Sequence, residues 1–482
     1  MRAIRIGAVG LGFPSFDART EKIWERSSTG LKEMAIPGGV DLVLWNDLVE
    51  TVDGSQRAAR YLDEQKIDFL LVQASSFSLG DVLYPLLSLK KRTGFWFVPE
   101  PRLEGELPLN SLTGFNLAMS ICRKYAPSLQ TKWFFGMPGD PSFDEPFHIT
   151  LQALRAVAAV PGSRVGQIGD VVPTFDNLAY RSGDLREALG VEVVPVPVDE
   201  LFDGCRNVPR GRINDLVRSL KHRAARVLVS DEWLEKTARV IGALHMIKEA
   251  YRLDAAAVRC WPEFQSRMNM APCAALAHAN DNGFPAGCEG DLMGTVSMLI
   301  ASLITGSAPT MNDPVAFDAE TDTVQMWHCG PGPASWADDE GQTLAYHHTL
   351  NRRRAPGAEP VGVSSDISFR KGAVTVMRLE NDGKQLLVFE AEVVKGPGKA
   401  YLGSGGWFGN LTSDKRAISV RDFIETMGAY GVEHHYPVCR GHVEHVYREM
   451  AAWMGVEVLA FKRWKPYKQL TAHSIPPIIQ ST

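Results

Sequence analysis

The sequence lacks the features that would mark a nucleic-acid-binding or membrane protein. Its formal net charge is -5 over 482 residues, so it has no excess of positive charge to attract phosphate backbones or anionic lipid. The longest stretch without charged residues, 292–312, is interrupted by Gly, Ser, Thr and Pro, and we expect a buried helix there rather than a membrane span. The start of the chain shows no signal-peptide cleavage pattern. We therefore expect a cytoplasmic protein with neither nucleic acid nor membrane as a partner.

Paired cysteines are also lacking. The seven cysteines are scattered singly along the chain, so their spacing indicates neither a zinc knuckle nor a disulfide framework. A reducing compartment fits this pattern.

The composition is that of an ordinary folded protein. Hydrophobic residues make up 45% and charged residues 22% of the chain, far from the composition of disordered chains. A chain of this length exceeds the size at which one hydrophobic core stops growing, so we expect two or three domains.

The order of hydrophobic segments predicts the fold class. Short aliphatic runs alternate with amphipathic stretches up to about residue 310, which is typical of βαβ units on parallel sheets. Beyond that point strands and turns dominate, and two β runs across Asn381, Asp382 and Gly383 predict a hairpin. The prediction is an α/β protein. Two Rossmann-like α/β domains with parallel sheets, 1–150 and 151–310, are followed by a mostly antiparallel, β-rich C-terminal domain, 311–482.

Two glycine- or arginine-rich segments allow functional alternatives. Gly7, Gly10 and Gly12 are spaced G-x-x-G-x-G rather than in the dinucleotide-binding order, so we predict a strand-to-loop turn and no nucleotide cofactor. An NAD-dependent dehydrogenase is kept as the alternative enzyme. The basic run 352–354 is predicted to be a solvated surface, with an anionic group of a substrate or of a neighbouring subunit as its alternative ligand.

Two carboxylates are candidates for the functional site. Glu289, in PAGCEGDLMG, stands where a small-residue strand end gives way to an apolar helix, and ligands of open α/β sheets bind at the carboxyl ends of strands. Asp291 is expected to cap this helix, which leaves Glu289 free. The chain then returns to Asp313, so both carboxylates can lie at one end of the sheet. Spacing alone leaves open that they are merely a cap and a turn residue.

Histidines strengthen the prediction of a metal site. Four of the 12 crowd into VEHHYPVCRGHVEHV. His442 follows a glycine hinge before the last predicted helix, and a side chain held by the backbone in this way suits a ligand. At least one of His434, His435 and His445 is then expected in a supporting or surface position. His328 is isolated in a glycine-rich turn. Two carboxylates with one or two imidazoles suit Mn²⁺ or Mg²⁺ better than a structural zinc.

Several motifs together resemble the L-fucose isomerase and L-arabinose isomerase superfamily, nearer to the fucose side, over about residues 259–461. They are RCWPEFQ, APCAALAHANDNG, PAGCEGD, PTMNDP, WHCG and the glycine–histidine pair before the last helix. The resemblance implies that Glu289 and Asp313 are the metal-binding and catalytic carboxylates and that His442 is the histidine ligand. It leaves open whether His328 contacts metal or substrate. We expect the substrate to be bound by residues of these motifs: Trp261, Gln265, Asn312 and His328.

The resemblance implies a metal-dependent aldose–ketose isomerase. A proton moves between C1 and C2 by an enediol mechanism, with Mn²⁺ (or Mg²⁺ or Co²⁺) as the Lewis acid and the paired carboxylates moving the protons. L-Fucose and D-arabinose are the default substrates, and the shorter N-terminal half leaves room for another hexose, including one with a sulfonate at C6. A homo-oligomer (trimer or hexamer) with active sites near subunit interfaces is likewise implied. A non-catalytic sugar-binding protein is the alternative of a different class.

Overall fold

The computed structural model of the chain describes residues 3–34, 36 and 39–467. The first sheet is parallel and five-stranded, in the order β2-β1-β3-β4-β5. Its strands are β1 Ile4–Leu11, β2 Val40–Leu44, β3 Phe69–Ala74, β4 Arg92–Phe97 and β5 Thr131–Phe135. The helices between them are α1 Ile23–Glu33, α2 Val52–Glu64, α3 Gly80–Leu87 and α4 Ser111–Tyr125.

The glycines at the start of the chain serve packing in this sheet. Gly7 and Gly10 lie within β1, and a Cβ atom at Gly10 would stand 2.6 Å from the Trp24 ring. At Gly7 a Cβ atom would stand 2.7 Å from Ile67. Only glycine fits such close approaches, so the pattern is explained without a phosphate loop. It gives no support to the NAD-dependent alternative.

The second sheet is also parallel, in the order β10-β9-β6-β7. Its strands are β6 Arg164–Ile168, β7 Glu192–Val196, β9 Ala255–Val258 and β10 Ala286–Gly287, while β8 Arg226–Val227 joins the third sheet. The helices of this part are α5 Pro141–Ala159, α6 Ser182–Leu189, α7 Val198–Asn207, α8 Arg210–Arg223, α9 Asp231–Tyr251, α10 Glu263–Met268, α11 Cys273–Asp281 and α12 Leu292–Thr305.

The third sheet has 11 strands and is mostly antiparallel. Besides β8 it contains β11 Thr310–Asp318, β12 Thr323–His328, β13 Thr343–Ala345, β14 Ser364–Ser368, β15 Gly372–Glu380, β16 Gln385–Val394, β17 Ser404–Ser413, β18 Arg416–Ala417, β19 Tyr436–Arg440 and β20 Glu457–Val458. Three helices accompany it: α13 His348–Asn351, α14 Val420–Tyr430 and α15 Glu444–Met454.

The predicted fold class is confirmed. Two parallel α/β sheets precede a β-rich sheet, and the hairpin predicted across Asn381–Gly383 joins β15 to β16. The predicted domain boundaries stay predictions, and residues 468–482 of the C-terminal domain lie outside the described part. Among the described helices, none is long and apolar enough to span a membrane.

Helix α12 connects the second sheet to the third and thereby positions the site. It begins shortly after β10, is buried along most of its length, and is followed by β11. Burying each of its large apolar side chains contributes about 1.5–3 kcal/mol. As predicted, Asp291 caps the helix, accepting a hydrogen bond from the Gly294 amide at 2.8 Å, and Gly306 ends it with φ 67. The carboxyl end of β10 is therefore fixed beside the third sheet.

Candidate active site

Glu289 lies in the short connection between β10 and α12. Its φ is 59, in the left-handed region that non-glycine residues rarely adopt, and Gly290 follows with φ 68. Such backbone conformations cost of order 1–3 kcal/mol and cluster at functional sites. Hydrogen bonds from the Val172 amide to the Glu289 carbonyl (3.2 Å) and from the Gly290 amide to the Val258 carbonyl (3.0 Å) hold this turn.

Asp313 is brought to the same place by strand pairing. In the antiparallel ladder of β11 and β19, Asn312 faces Tyr436, so the next residue, Asp313, comes beside His435. The His435 Nε2 atom lies 3.3 Å from Glu289 Oε2 and 3.8 Å from Asp313 Oδ1. The structure therefore unites the two predicted carboxylates around an imidazole nitrogen.

The His435 ring is oriented by a buried carboxylate. Its Nδ1 lies 2.9 Å from Asp291 Oδ2, so Nδ1–H donates to Asp291 and Nε2 faces Glu289 and Asp313. His435 is fully buried, and its Nε2 has no hydrogen-bond partner among the described residues. A histidine held by a carboxylate at one nitrogen and open at the other is the common arrangement of a metal ligand.

Arg378 holds Asp291 in turn. It is fully buried, ion-paired with Asp291, and 3.2 Å from Glu380 Oε1 and 3.4 Å from Glu433 Oε2. It also donates to the His435 carbonyl at 3.1 Å. Removing one partner from such a buried network would leave an unpaired charge, which is strongly destabilising.

The surroundings drive the pKa values of the two carboxylates apart. Burial raises the pKa of Glu289, but His434 and His435 outweigh it and bring the pKa down to about 2. Burial raises the pKa of Asp313 above its ordinary value, although His328 and His435 oppose this. One ionised and one less acidic carboxylate form a pair suited to acid–base chemistry.

His328 stands at the end of β12 and is buried beside the pair. Its Nδ1 accepts a hydrogen bond from the Cys329 amide at 2.8 Å, so in the neutral ring the proton lies on Nε2. That Nε2 has no partner in the described part of the chain.

A cavity of about 460 Å³ opens onto these groups. This volume suits a small ligand such as a hexose. Of the residues predicted to bind substrate, Trp261, Gln265 and His328 line the cavity with Glu289 and Asp313. Asn312 is not among the lining residues; it is fully buried, and neither atom of its amide group has a described partner.

His442 lies away from this site, contrary to its predicted place as the histidine ligand. It follows the Arg440 end of β19, whereas His435 precedes the Tyr436 end. The strand between the two histidines has five extended residues and a length of about 17 Å. His442 is exposed, with Nε2 3.2 Å from the Ala391 carbonyl. The glycine hinge turns the chain into α15, with Gly441 at φ 91.

The position of His435 beside both carboxylates was missed by sequence reasoning. Both His434 and His435 belong to the noted histidine cluster, and either could have been chosen. The deciding signal is the register between β11 and β19, which the sequence does not display.

Comparison with known proteins supports an isomerase. No protein-family model matches the chain. Curated relatives named sulfoquinovose isomerase, from Priestia aryabhattai and Priestia megaterium (strain ATCC 12872 / QMB1551), are 27% identical over 459 residues, covering 94% of this chain and 98% of theirs. One from Alkalicoccus urumqiensis is 26% identical over 374 residues, covering 76% and 79%. The predicted enzyme class, an aldose–ketose isomerase, is thereby confirmed.

One of the solved structures that match the chain does not indicate the function. It is a sugar ABC transport system substrate-binding protein from Bordetella parapertussis 12822, with 13% identity and a TM-score of 0.15 over 65% of this chain and 84% of that one. This likeness is too low to carry an argument.

Proposed function

We propose that the chain is a divalent-metal-dependent isomerase that interconverts a C6-sulfonated aldose, sulfoquinovose or a close analogue, with its ketose. The observation that carries the proposal is the meeting of Glu289, Asp313 and His435 beside a cavity of about 460 Å³. The relatives that carry the sulfoquinovose isomerase name match along nearly the whole chain, which supports the substrate class.

The donor set fits a hard divalent cation. Asp313 Oδ1 and His435 Nε2 are buried without hydrogen-bond partners in the described structure, and Glu289 Oε2 lies 3.3 Å from that Nε2. Two carboxylates and one imidazole suit Mn²⁺, with Mg²⁺ or Co²⁺ as substitutes. When bound, the cation would polarise the substrate carbonyl and acidify the neighbouring hydroxyl. In this proposal His435 replaces His442 as the histidine ligand.

The protein's own groups then move the protons. Glu289 and Asp313 share the tasks of removing the C2 proton and shuttling the hydroxyl proton, giving an enediol that is reprotonated at C1. The Nε2–H group of His328 is placed to donate to a substrate oxygen, which favours substrate binding over metal ligation for this residue. Trp261 and Gln265 form part of the cavity wall against the sugar.

The sulfonate needs a cationic partner, and we propose Arg354. No arginine is among the described residues that line the cavity. Arg354 lies four residues after Leu350, which is one of the lining residues. Its Nε is buried without a partner, and its Nη1 lies 3.5 Å from Asn269 Oδ1, on the segment between the cavity residues Gln265 and Ala271. Replacing Arg354 with Met should lower kcat/KM about tenfold to hundredfold for the sulfonated sugar, and much less for glucose. An equal loss for both sugars would remove Arg354 from this role.

The superfamily and the assembly belong to the proposal as well. We propose fucose isomerase-like membership, a cytoplasmic enzyme, and a homo-oligomer, trimer or hexamer, with active sites near interfaces. An apolar groove lined by Leu228, Trp327 and Leu402 supports active sites near interfaces. Leu228 and Leu402 are 61% and 65% exposed, and Trp327 also lines the substrate cavity. Large exposed apolar patches commonly mark protein interfaces. Sedimentation analysis of the wild type and of Leu402→Glu tests this, since a monomeric wild type would contradict it.

Assays on a panel of sugars test the proposed function. The purified protein, before and after chelation and after Mn²⁺ is restored, is incubated with sulfoquinovose, glucose, L-fucose and D-arabinose, and ketose formation is measured. We expect sulfoquinovose to be turned over best, chelation to abolish the reaction and Mn²⁺ to restore it. Turnover that is insensitive to chelation would contradict the metal, and preference for an unsulfonated sugar would contradict the substrate.

A further inference from the structure

Four cysteines that the sequence scatters are gathered by the fold. Cys260 and Cys288 follow the neighbouring strands β9 and β10, Cys273 begins α11, and Cys329 follows β12. The sulfur atoms of Cys273 and Cys329 are 3.6 Å apart, and those of Cys260 and Cys288 are 3.4 Å apart. Cys260, Cys273 and Cys329 line the same cavity as Glu289 and Asp313, and Cys329 Sγ lies 3.2 Å from His328 Nδ1.

A buried imidazole completes the cluster. His347 is 3% exposed, and its Nε2 lies 3.3 Å from Cys273 Sγ. The ligand atoms of Cys273, Cys329 and His347 all lie within 4.8 Å of one another. We propose that Cys273, Cys329 and His347 form a second metal site, which takes a thiophilic divalent cation, Zn²⁺.

The distances agree with tetrahedral coordination. With Zn–S near 2.3 Å and Zn–N near 2.0–2.1 Å, ligand atoms around one ion are separated by about 3.7 Å for two sulfurs and about 3.5 Å for sulfur and nitrogen. The separations here are 3.6 Å and 3.3 Å. Two thiolates and one imidazole, with the fourth position open, are a known three-ligand donor set of zinc sites.

The cluster differs from cysteines that merely fill a core. Cys122 and Cys439 are buried in other parts of the fold, whereas Cys273 and Cys329 line the substrate cavity, and Cys329 is only partly buried. The cavity provides a path of entry for an ion, as a metal site requires.

One contact indicates which ligands dominate. The Nδ1 of His347 accepts a hydrogen bond from the Leu350 amide at 3.3 Å as the cap of α13, so ligation through Nε2 requires the ring proton to move to Nδ1 and this bond to be lost. The thiolates are therefore the main ligands, and replacing His347 should weaken binding rather than abolish it.

The position of the site suggests its role. Cys329 follows His328, so a bound zinc would tie the segment that carries this residue of the candidate active site to the starts of α11 and α13. This inference concerns metal content and thiol chemistry, so it stands or fails independently of the proposed isomerase activity.

Cobalt substitution tests the assignment. The full-length wild type, Cys273→Ala, Cys329→Ala and, as matched buried controls, Cys122→Ala and Cys439→Ala are loaded with Co²⁺ after zinc removal. We expect one equivalent to give a sulfur-to-cobalt charge-transfer band in the wild type and both controls. We expect the band to be lost in Cys273→Ala and Cys329→Ala. In His347→Ala, loaded in the same way, we expect the dissociation constant for Co²⁺ to rise several-fold. A missing wild-type band, or equal bands in all cysteine variants, would overturn the site, and unchanged affinity in His347→Ala would remove that ligand.

A second measurement uses only the wild type, in case a variant fails to fold. Native protein with and without added Zn²⁺ is treated with iodoacetamide, and the labelled cysteines are mapped by mass spectrometry. Zinc should protect Cys329, the partly buried thiol of the cluster, at least tenfold. Labelling of Cys329 that does not respond to Zn²⁺ would contradict the proposal.

Discussion

The two ends of strand β19 place similar histidines in opposite surroundings. At the Tyr436 end, His435 is fully buried and donates a hydrogen bond to Asp291. Arg378 forms an ion pair with the same Asp291 carboxylate. At the Arg440 end, His442 is exposed, and its Nε2 lies 3.2 Å from the Ala391 backbone carbonyl.

Under the proposed function, this difference lies in what prepares a histidine to bind a metal. Near His442, the Thr375 hydroxyl donates to the Gly441 carbonyl at 2.7 Å and accepts from the Val443 amide at 2.9 Å, so this end is completed by neutral backbone bonds. A glycine hinge alone therefore shapes a turn. A ligand needs a buried partner at its other ring nitrogen, as His435 has in Asp291.

The largest expected effect falls on the carboxylates at the His435 end. Glu289→Gln and Asp313→Asn should each lower kcat by at least about a hundredfold and up to about ten-thousandfold, because each removes a group that moves a proton. Asp318→Asn, the same change at the exposed end of β11, is the control and should stay within about twofold. Ketose formation at saturating Mn²⁺ measures both, and near-normal turnover in Asp313→Asn would contradict the pairing.

The buried network should matter more for folding than its counterpart at the other end. Arg378→Met leaves Asp291 buried without its partner and should lower the free energy of unfolding by about 3–5 kcal/mol. Thr375→Val, at the His442 end, should cost about 1–3 kcal/mol. Urea unfolding with matched slopes compares the two, and a smaller loss for Arg378→Met than for Thr375→Val would break the comparison.

A third histidine, His278, distinguishes the effect of burial on a histidine pKa from the effect of neighbouring carboxylates. Burial, with Arg223 nearby, lowers the pKa of His278 to about 4, whereas Asp291 and Glu289 overcome burial and raise the pKa of His435 to about 9. An unfolded His278 would titrate near pH 6.5, so the unfolded state binds the extra proton as the pH falls below that value, and stability is lost towards pH 4.

The predicted size of this pH effect is about 1.4 kcal/mol between pH 8 and pH 5.5. His278→Gln should remove this part of the pH dependence, as measured by urea unfolding at the two pH values relative to the wild type. A variant that keeps the full wild-type dependence would show that His278 is not the group responsible.

The sequence predicted local features better than distant ones. The capped helix α12 and the hairpin across Asn381–Gly383 follow from patterns within short segments. The choice of His435 depends on the pairing of β11 with β19, which are far apart in the chain. The cysteine cluster was missed for the same reason, because strand ends from two different sheets bring its members together.

Manganese binding compared between the two histidines tests the central claim most directly. Mn²⁺ affinity and isomerase activity are measured for the wild type, His435→Asn and His442→Asn after complete chelation. We expect His435→Asn to bind Mn²⁺ at least about tenfold more weakly and to lose activity, because the proposed ligand is removed, while His442→Asn matches the wild type. Loss of Mn²⁺ affinity in His442→Asn with normal binding in His435→Asn would contradict it.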